Sequence, residues 1–261
     1  MNGHILRVDP LAFRDEPIFC FTSDIDWAPD WMISEMLEFF EDARVPLTPF
    51  VTHESSIIRG RFGREEMSRR VGVHPNFLPS STHGHSPSEV IDFVQQLWPR
   101  SIGFRSHAFF DNTPISSIFR TRGFKYDSNL CLLLQPNCVP LQHCSGMVRF
   151  PVFWTDDIYF SSGLPMDIDA IRENLDAPGL KVVNVHPIHF VLNTPDRDYY
   201  AAHRGLFNTD VDKWRGHAWS KNGTRTLVEA MADFVKRKGY RVEYLYDLFL
   251  RTVRELPASI T

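Results

Sequence analysis

Residues 18–26 read IFCFTSDID, an apolar run typical of a buried β-strand that ends in two carboxylates. The sequence predicts this first strand over Ile18–Thr22. Apolar residues then recur at the spacing of an amphipathic helix, at Ile33, Met36, Leu37 and Phe40. The strand-then-helix order repeats along the chain, which predicts βα units around a mainly parallel sheet and therefore an α/β fold.

The same patterns place the remaining strands and helices. Further strands are predicted at Leu47–Thr52, Val71–His74, Ser101–Arg105, Tyr126–Asp127, Val148–Trp154, Lys181–His186 and Tyr240–Tyr244. One helix has a clear start signal, because Ser86 can cap it, Pro87 fits its first position and Glu89 completes a capping box. For the next helix the sequence predicts Thr113 as the cap and Gly123 as the terminator.

The composition is that of an ordinary globular protein and limits the possible functions. The chain has 261 residues, of which 43% are hydrophobic and 23% charged, with a formal net charge of −4. A single core of this size is stable by itself, so we expect one domain over residues 1–261. The negative charge and the lack of any lysine- or arginine-rich run argue against nucleic acid as a partner.

The chain carries no targeting signature. Its four cysteines show no CxxC spacing, which is typical of free thiols in a reducing compartment. The first residues, MNGHILRVDPLAF, lack the basic and apolar regions of a secretory signal, and no apolar stretch is long enough to span a bilayer. We therefore expect a cytoplasmic protein, and the oligomeric state stays open.

One long segment differs from the rest of the chain. Residues 189–222 are polar and include Tyr199, Tyr200, Trp214 and Trp219. Long connections with little regular structure are usually functional lids or mobile loops. The aromatic residues favour an insertion that covers the substrate, and a surface Ω-loop packed on its own side chains is the alternative.

Polar side chains follow each predicted strand at the point where the strand ends. They are Asp24 and Asp26, His53, His74 and Asn76, Arg105 and His107, Asp127 and Asn129, Asp156 and Asp157, and His186 and His189. In a (β/α) barrel the carboxyl ends of the strands point to one face, which holds the active site. One Asp and two His with an open water position form a catalytic site for a divalent metal. The sequence therefore predicts a metal-assisted hydrolase.

Each of these polar residues also has a simpler interpretation when it is considered alone. Any one of them could cap a helix, stabilise a turn or be a hydrogen-bonded core histidine. Asp24 or Asp26, in particular, could cap the helix that begins near Asp30. The number of histidines that fall at strand ends favours the functional interpretation, because histidine is the commonest metal ligand.

Five motifs in this order resemble those of the polysaccharide deacetylases, carbohydrate esterase family four. They are FTSDIDWAP at residues 21–29, VGVHPNF at 71–77, GFRSH at 103–107, FWTDD at 153–157 and VVNVHP at 182–187. The combination of HPNF, RSH, FWTDD and HPIH is similar to a branch encoded among bacterial O-antigen and surface-polysaccharide genes. The resemblance covers about residues 18–190 and implies a distorted (β/α) barrel with seven or eight strands.

The motifs depart from the family pattern at three positions. The usual adjacent Asp-Asp pair is here Asp24-Ile25-Asp26. Leu78, which cannot bind a metal, stands where the family has a second histidine. His107 replaces the proline of the arginine motif.

Either the metal is lost, or a histidine from elsewhere in the chain takes the place of the missing ligand. His107 is the first choice, because it lies at the end of the next strand. His83 and His85, in the loop SSTHGHS, are the alternatives, and Asn76 is a weaker one.

The resemblance implies roles for six residues. Asp26, His74 and His107 would hold a divalent ion, with zinc the expected metal. Asp24 would act as the base, Arg105 would orient it and keep it ionised, and His186 would protonate the departing amine. Asp156 or Asp157 would orient His186.

The implied reaction is removal of an acyl group from an amino sugar. With no secretory signal in the chain, the expected substrate is a small molecule or polysaccharide precursor in surface-polysaccharide synthesis, such as a nucleotide- or lipid-linked N-acyl amino sugar. A glycoside hydrolase, a non-catalytic sugar-binding protein and a metal-independent amide hydrolase of the same superfamily are the alternatives.

Overall fold

The computed structural model describes residues 5–206, 213–214 and 216–256. The strands are β1 Ile5–Val8, β2 Pro17–Asp24, β3 Leu47–Val51, β4 Gly72–Val73, β5 Gly103–Phe104, β6 Tyr126–Asp127, β7 Leu141–Gln142, β8 Val148–Arg149, β9 Val152–Thr155, β10 Gly179–Asn184, β11 Arg241–Val242 and β12 Val253–Leu256. The helices are α1 Asp30–Ala43, α2 Ser56–Phe62, α3 Glu65–Ser68, α4 Pro87–Leu97, α5 Thr113–Thr121, α6 Asp156–Ser161, α7 Arg172–Asp176, α8 Pro187–Leu192, α9 Arg197–His203, α10 Thr224–Lys238 and α11 Leu245–Thr252.

The strands form a curled, mainly parallel sheet. Within the described part of the chain, eight parallel strands are neighbours in the order β8, β6, β5, β4, β3, β2, β10, β9. Cys131, which follows β6 at one side of this row, bridges in parallel to Val152 of β9 at the other end. The arrangement confirms the predicted α/β fold, a distorted (β/α) barrel with seven or eight strands.

The alternation of side chains along β2 divides its residues between two cores. Ile18 and Cys20 belong to the core inside the barrel, whereas Phe19 and Phe21 face the surrounding helices. Because the period of a strand is two, Thr22 and Asp24 continue on the inner side. A polar side chain at the end of this strand therefore lies above the apolar interior of the barrel.

Several element boundaries differ from the predicted ones. Asn112, not Thr113, is the cap of α5, because its Oδ1 accepts a hydrogen bond from the backbone N–H of Ile115 at 2.9 Å. The predicted strand Val148–Trp154 is divided into β8 and β9. Pro151 lies between these two strands, and its lack of an N–H accounts for the break.

The segment after β10 contains more regular structure than the sequence suggested. It holds α8 and α9, and α9 is followed by a short 3₁₀ turn over Arg204–Leu206. Residues 207–212 and 215, within the predicted insertion at 189–222, lie outside the described residues. None of the helices in the described ranges is long and apolar enough to cross a membrane.

Candidate active site

A polar cavity of about 260 Å³ lies at the carboxyl ends of the barrel strands. Its walls contain five of the six residues predicted for the site, namely Asp24, Asp26, His74, His107 and His186, together with Ser106, Ala108, Phe109 and Asp157. The sixth, Arg105, is fully buried next to Asp24. The strand-end pattern therefore brings all six predicted residues to one place.

Both oxygens of Asp24 are held by buried partners. Arg105 Nη1 donates to Oδ1 and Asn184 Nδ2 donates to Oδ2, each at 2.9 Å. Arg105 itself is fixed by Ser128, whose carbonyl oxygen and hydroxyl accept from Nε and Nη2 at 3.1 and 2.9 Å, and by the ring of Phe50 beneath it. A carboxylate that accepts two hydrogen bonds, one of them from a guanidinium group, is held in one orientation.

A left-handed turn carries the chain from Asp24 to Asp26. Strand β2 ends at Asp24, and the next residues include Asp26 with φ 36° and Trp27 with φ 56°. The turn is held because Trp27 N–H donates to Thr52 Oγ1 at 3.1 Å and Ile25 N–H donates to the carbonyl oxygen of Phe50 at 3.2 Å. Two consecutive non-glycine residues at positive φ are unfavourable, and such conformations are concentrated at functional sites.

Asp26, His74 and His107 form a cluster with the donor set of a metal site. Asp26 Oδ1 lies 3.0 Å from His74 Nε2 and 3.1 Å from His107 Nδ1, and one ligand atom from each residue lies within 4.8 Å of the other two. The ring nitrogens of His74 are buried and have no hydrogen-bond partner, since the contact with Asp26 lacks hydrogen-bond geometry. Orphaned buried nitrogens beside a carboxylate fit a divalent ion, to which an imidazole presents a lone pair.

The charge balance in this cluster favours an ionised carboxylate. Burial alone would raise the pKa of Asp26, but contacts with His107 and His74 hold it well below its ordinary value. The contact with Asp26 in turn raises the pKa of His107. A cation that enters the cluster would therefore meet an ionised carboxylate, and His107 would lose its proton in order to bind it.

His186 lies on the other side of the two carboxylates and is oriented by Asp156. Its Nδ1 lies 2.6 Å from Asp156 Oδ1, and its backbone N–H donates to Asp156 Oδ2 at 2.7 Å. Its Nε2 points to the cavity, 3.6 Å from Asp26 and 4.0 Å from Asp24. Burial alone would lower the pKa of His186, but Asp156 and Asp26 raise it well above its ordinary value.

The structure places Asp156, not Asp157, against His186. Asp157 Oδ1 instead accepts from Thr155 Oγ1 at 2.8 Å and from the backbone N–H of Ile158 at 2.9 Å. Asp156 forms a second group of possible metal ligands with His186 and His189. Both oxygens of Asp156 already accept hydrogen bonds from His186, so this group fits an oriented imidazole better than a metal.

The alternative third ligands lie away from the cluster. His83 is buried, its Nδ1 accepts from the backbone N–H of Asn76 at 3.1 Å, and its ring stacks on Phe93. His85 is exposed, and its backbone N–H is held by Glu89. Asn76 uses its side-chain oxygen to accept from the backbone N–H of Leu78. The geometry therefore favours His107.

Three other predicted strand-end residues have structural partners. His53 Nδ1 lies 2.8 Å from Thr52 Oγ1, and Asp127 is paired with Arg149 at 2.7 Å. Asn129 Oδ1 accepts from the backbone N–H of Ser106, which fixes the loop between Arg105 and His107. None of the three lines the cavity described above.

Sequence reasoning missed the residue that completes the Asp24 network. Asn184 accepts from Arg105 Nη1 at 2.7 Å while it donates to Asp24. It has the same strand parity as Leu180 and Val182 in β10, so an amide inside an otherwise apolar strand was the available signal.

Comparisons with known proteins agree with the fold. A protein-family model, WbmS-like polysaccharide deacetylase, matches residues 21–204. The crystal structure of WbmS from Bordetella bronchiseptica, described as a polysaccharide deacetylase involved in O-antigen biosynthesis, is 28% identical with a TM-score of 0.75, over 87% of this chain and 93% of that one. A search of the curated proteins gives no match.

Two more distant structures are also similar to this chain. A polysaccharide deacetylase from Mycobacterium smegmatis is 17% identical with a TM-score of 0.43, over 88% of this chain and 93% of that one. A family-four pseudoenzyme from Bacillus anthracis is 13% identical with a TM-score of 0.44, over 90% of this chain and 66% of that one. Because the matched family model spans more than half of the sequence, the chain belongs to the WbmS-like polysaccharide deacetylases, a family of hydrolases that act on amide bonds.

Proposed function

We propose that this protein removes the N-acyl group from an amino sugar, free or carried on a nucleotide- or lipid-linked precursor of a bacterial surface polysaccharide. One observation carries the proposal. Asp24, oriented by Arg105 and Asn184, lies beside both a cluster of three metal-ligand side chains and the imidazole of His186, with its oxygens 3.5 Å from His74 Nδ1 and 4.0 Å from His186 Nε2. A base, a cation site and an acid around one cavity are the parts that amide hydrolysis requires.

Asp26, His74 and His107 would hold the divalent ion, with zinc as the expected metal. Such an ion supplies Lewis acidity, which lowers the pKa of water and polarises a carbonyl group. The protein contributes an ionised carboxylate at Asp26 and the unpartnered nitrogens of His74.

Asp24 takes the proton from the water that attacks the acyl carbon. Its oxygens are held by Arg105 and Asn184, so the carboxylate does not have to reorganise before the reaction. The buried guanidinium group of Arg105 is the counterion of this carboxylate, 2.9 Å away.

His186 donates a proton to the nitrogen of the leaving amine from its Nε2 atom. Asp156 holds the Nδ1 atom, which fixes the ring and favours the protonated imidazole. The carbon–nitrogen bond then breaks, and the products are a carboxylic acid and a free amino sugar.

The substrate class rests on one relative and on the size of the site. The WbmS structure, at 28% identity, is described as involved in O-antigen biosynthesis. The cavity of about 260 Å³ fits an acyl group and its amide, and a sugar would extend from it. We place the reaction in the cytoplasm, where sugar precursors are made.

The decisive experiment measures acyl loss with and without metal. Purified protein is treated with a chelator, reloaded with one equivalent of a divalent ion and incubated with N-acetylated amino sugars and their nucleotide-linked forms, and acyl loss is followed by mass spectrometry. We expect turnover only after reloading, and we expect the exposed variant His85→Ala to behave as the wild type does.

Two results would contradict the proposal. Turnover that a chelator leaves unchanged would point to a metal-independent amide hydrolase. Sugar binding without acyl loss, across all substrates and metals, would point to a sugar-binding protein on a deacetylase scaffold.

A further inference from the structure

A second, larger cavity adjoins the candidate active site. It has a volume of about 820 Å³ and lies between α6 and α9. Asp157 lines both cavities, and His189, in the wall of the larger one, packs edge-on against His186 at 5.6 Å between ring centroids. A substrate whose amide occupies the small cavity would therefore extend into the large one.

One face of α9 forms a wall of this cavity. The lining residues Arg197, Tyr200, Ala201 and Arg204 are spaced at three, four and seven residues, the period at which side chains share a helix face. On the opposite face, the ring of Tyr199 packs edge-on against Trp219, with 5.3 Å between the ring centroids.

The cavity has an aromatic part and a cationic part. Tyr200 and Phe160 pack around the ring of His189, with centroid distances of 4.6 and 4.8 Å to that ring. Arg197 and Arg204 are exposed and lie on either side of Tyr200 along the helix. Neither arginine lines the smaller cavity at the site.

The two arginines are unpaired among the described residues, whereas many other arginines of the protein form ion pairs. Arg59 pairs with Glu54, for example, and Arg122 pairs with Asp92. Asp157, the acid in the lining, accepts hydrogen bonds from Thr155 and Ile158 through Oδ1 and forms no ion pair with either of the two arginines. In the part of the chain that the structure describes, no acidic side chain therefore competes with an anion of the substrate for the guanidinium groups of Arg197 and Arg204.

We infer that this cavity binds the diphosphate of a glycosyl diphosphate, with Arg197 and Arg204 as the residues that recognise it. A guanidinium group matches phosphate oxygens in a bidentate geometry. Two such groups match the two negative charges of a diphosphate better than they match the single charge of a carboxylate. The aromatic wall formed by Tyr200 and Phe160 would then lie along the sugar. The inference rests on the proposed function, because it names the carrier of the sugar on which the enzyme acts.

The test is a binding measurement on the full chain. Isothermal titration of chelator-treated protein, in which a diphosphate cannot bind through a metal, uses four probes. They are UDP-N-acetylglucosamine, farnesyl diphosphate N-acetylglucosamine, the neutral methyl N-acetylglucosaminide and its uronate. We expect both diphosphates to bind at least about tenfold more tightly than the neutral sugar, and less tightly as salt is raised. The tighter of the two diphosphates identifies the carrier as nucleotide or lipid.

The double variant Arg197→Gln/Arg204→Gln should remove this advantage, because glutamine keeps a polar side chain without the charge. Arg69→Gln is the matched control, since Arg69 is exposed and precedes β4, at the opposite end of the strand from the site. Equal binding of neutral and diphosphate sugars, a preference for the uronate, or an advantage that survives in the double variant would overturn the inference. Diphosphate binding that depends on the two arginines, without acyl loss in the mass spectrometry assay, would leave this subsite standing and defeat the proposed function alone.

Discussion

A buried network of four side chains decides the chemistry at the level of single residues. Arg105 is fully buried and donates to Asp24, to Asn184 and to Thr22 through the same nitrogen, Nη1. Removal of one partner from a buried ion pair costs about 3–5 kcal/mol, because the other charge is left uncompensated. Asp24 is therefore both a candidate base and the counterion of Arg105, and a single substitution would change activity and stability together.

A charge exchange separates the two roles of Asp24. In Asp24→Asn/Asn184→Asp, the carboxylate moves to residue 184, where Arg105 still contacts it, and the amide at 24 can still join the network. We expect Asp24→Asn to lower the free energy of unfolding by up to about 3–5 kcal/mol and the exchange variant to recover most of it. In both variants the turnover should fall by a factor of about 10²–10⁴, the usual contribution of general base catalysis.

Chemical denaturation and acyl release, measured on the same samples, check this prediction. Normal turnover in the exchange variant would mean that Asp24 is a structural residue and not the base.

The identity of the third metal ligand is a second question at the residue scale. We expect His107→Ala to weaken the affinity for a divalent ion by more than about 100-fold. Altering a residue that is hydrogen-bonded to a metal ligand lowers the metal affinity by about 10- to 100-fold, and loss of the ligand itself should cost more. His83→Ala should change the affinity much less, since His83 Nδ1 is engaged by the backbone of Asn76. Competition with a chromogenic chelator measures both. A larger loss in His83→Ala would assign the ligand to the loop.

At the scale of elements, the connection between β4 and α4 depends on a buried neutral histidine. His83 ties this loop to the backbone of Asn76 and stacks on Phe93. Burial lowers its pKa to about 4. The unfolded chain therefore binds more protons than the folded chain between pH 6.5 and pH 4, so stability falls as the pH falls through this range.

The variant His83→Asn tests this linkage. Asparagine can still accept the hydrogen bond from Asn76 but does not titrate. The slope of the unfolding free energy against pH gives the number of protons taken up on unfolding. Between pH 6.5 and 4 we expect this number to decrease by up to one. His189, whose pKa is lowered by burial to about 3, also stays neutral in this range and contributes to the remaining dependence with the same sign. Denaturant titrations at several pH values, with the exposed His85→Asn as control, provide the measurement. An unchanged slope would show that His83 does not carry the linkage.

The sequence predicted the order of the elements better than their ends. Apolar periodicity located β2, β3, β10 and α1 within a few residues, because each buries a regular face. Caps and strand ends depend on single hydrogen bonds. The hydrogen bond from the backbone N–H of Ile115 makes Asn112 the cap in place of Thr113. Pro151 divided one predicted strand for a local reason that periodicity cannot detect.

The sequence predicted the site less completely than the fold. Strand-end residues could be selected because a parallel barrel brings them to one face. The choice of Asp156 over Asp157 depends on which side chain turns towards His186, and that is set by tertiary packing. The role of Asn184 was hidden because an isolated amide in a strand has no spacing pattern.

At the scale of the whole molecule, the candidate metal site joins distant parts of the chain. Asp26 and His107 are 81 residues apart, and His74 comes from a third strand between them. An ion bound by all three would connect the ends of β2, β4 and β5, none of which is linked to another by a disulfide. Occupancy of the site should therefore affect the stability of the whole barrel.

We expect a divalent ion to raise the melting temperature of the protein. A ligand that binds only the folded state at 100 times its dissociation constant stabilises it by about 2.7 kcal/mol. For a domain of this size, 1 kcal/mol corresponds to about 2–4 °C, so the melting temperature should rise by roughly 5–10 °C. Asp26→Asn should abolish the shift, because it removes the charged ligand. His189→Gln should retain the shift, because His189 belongs to the second group of possible ligands, with Asp156 and His186. Differential scanning fluorimetry of chelator-treated protein, with and without zinc, makes the measurement. An equal shift in Asp26→Asn and the wild type would place the ion elsewhere in the molecule, and loss of the shift in His189→Gln alone would assign it to the second cluster.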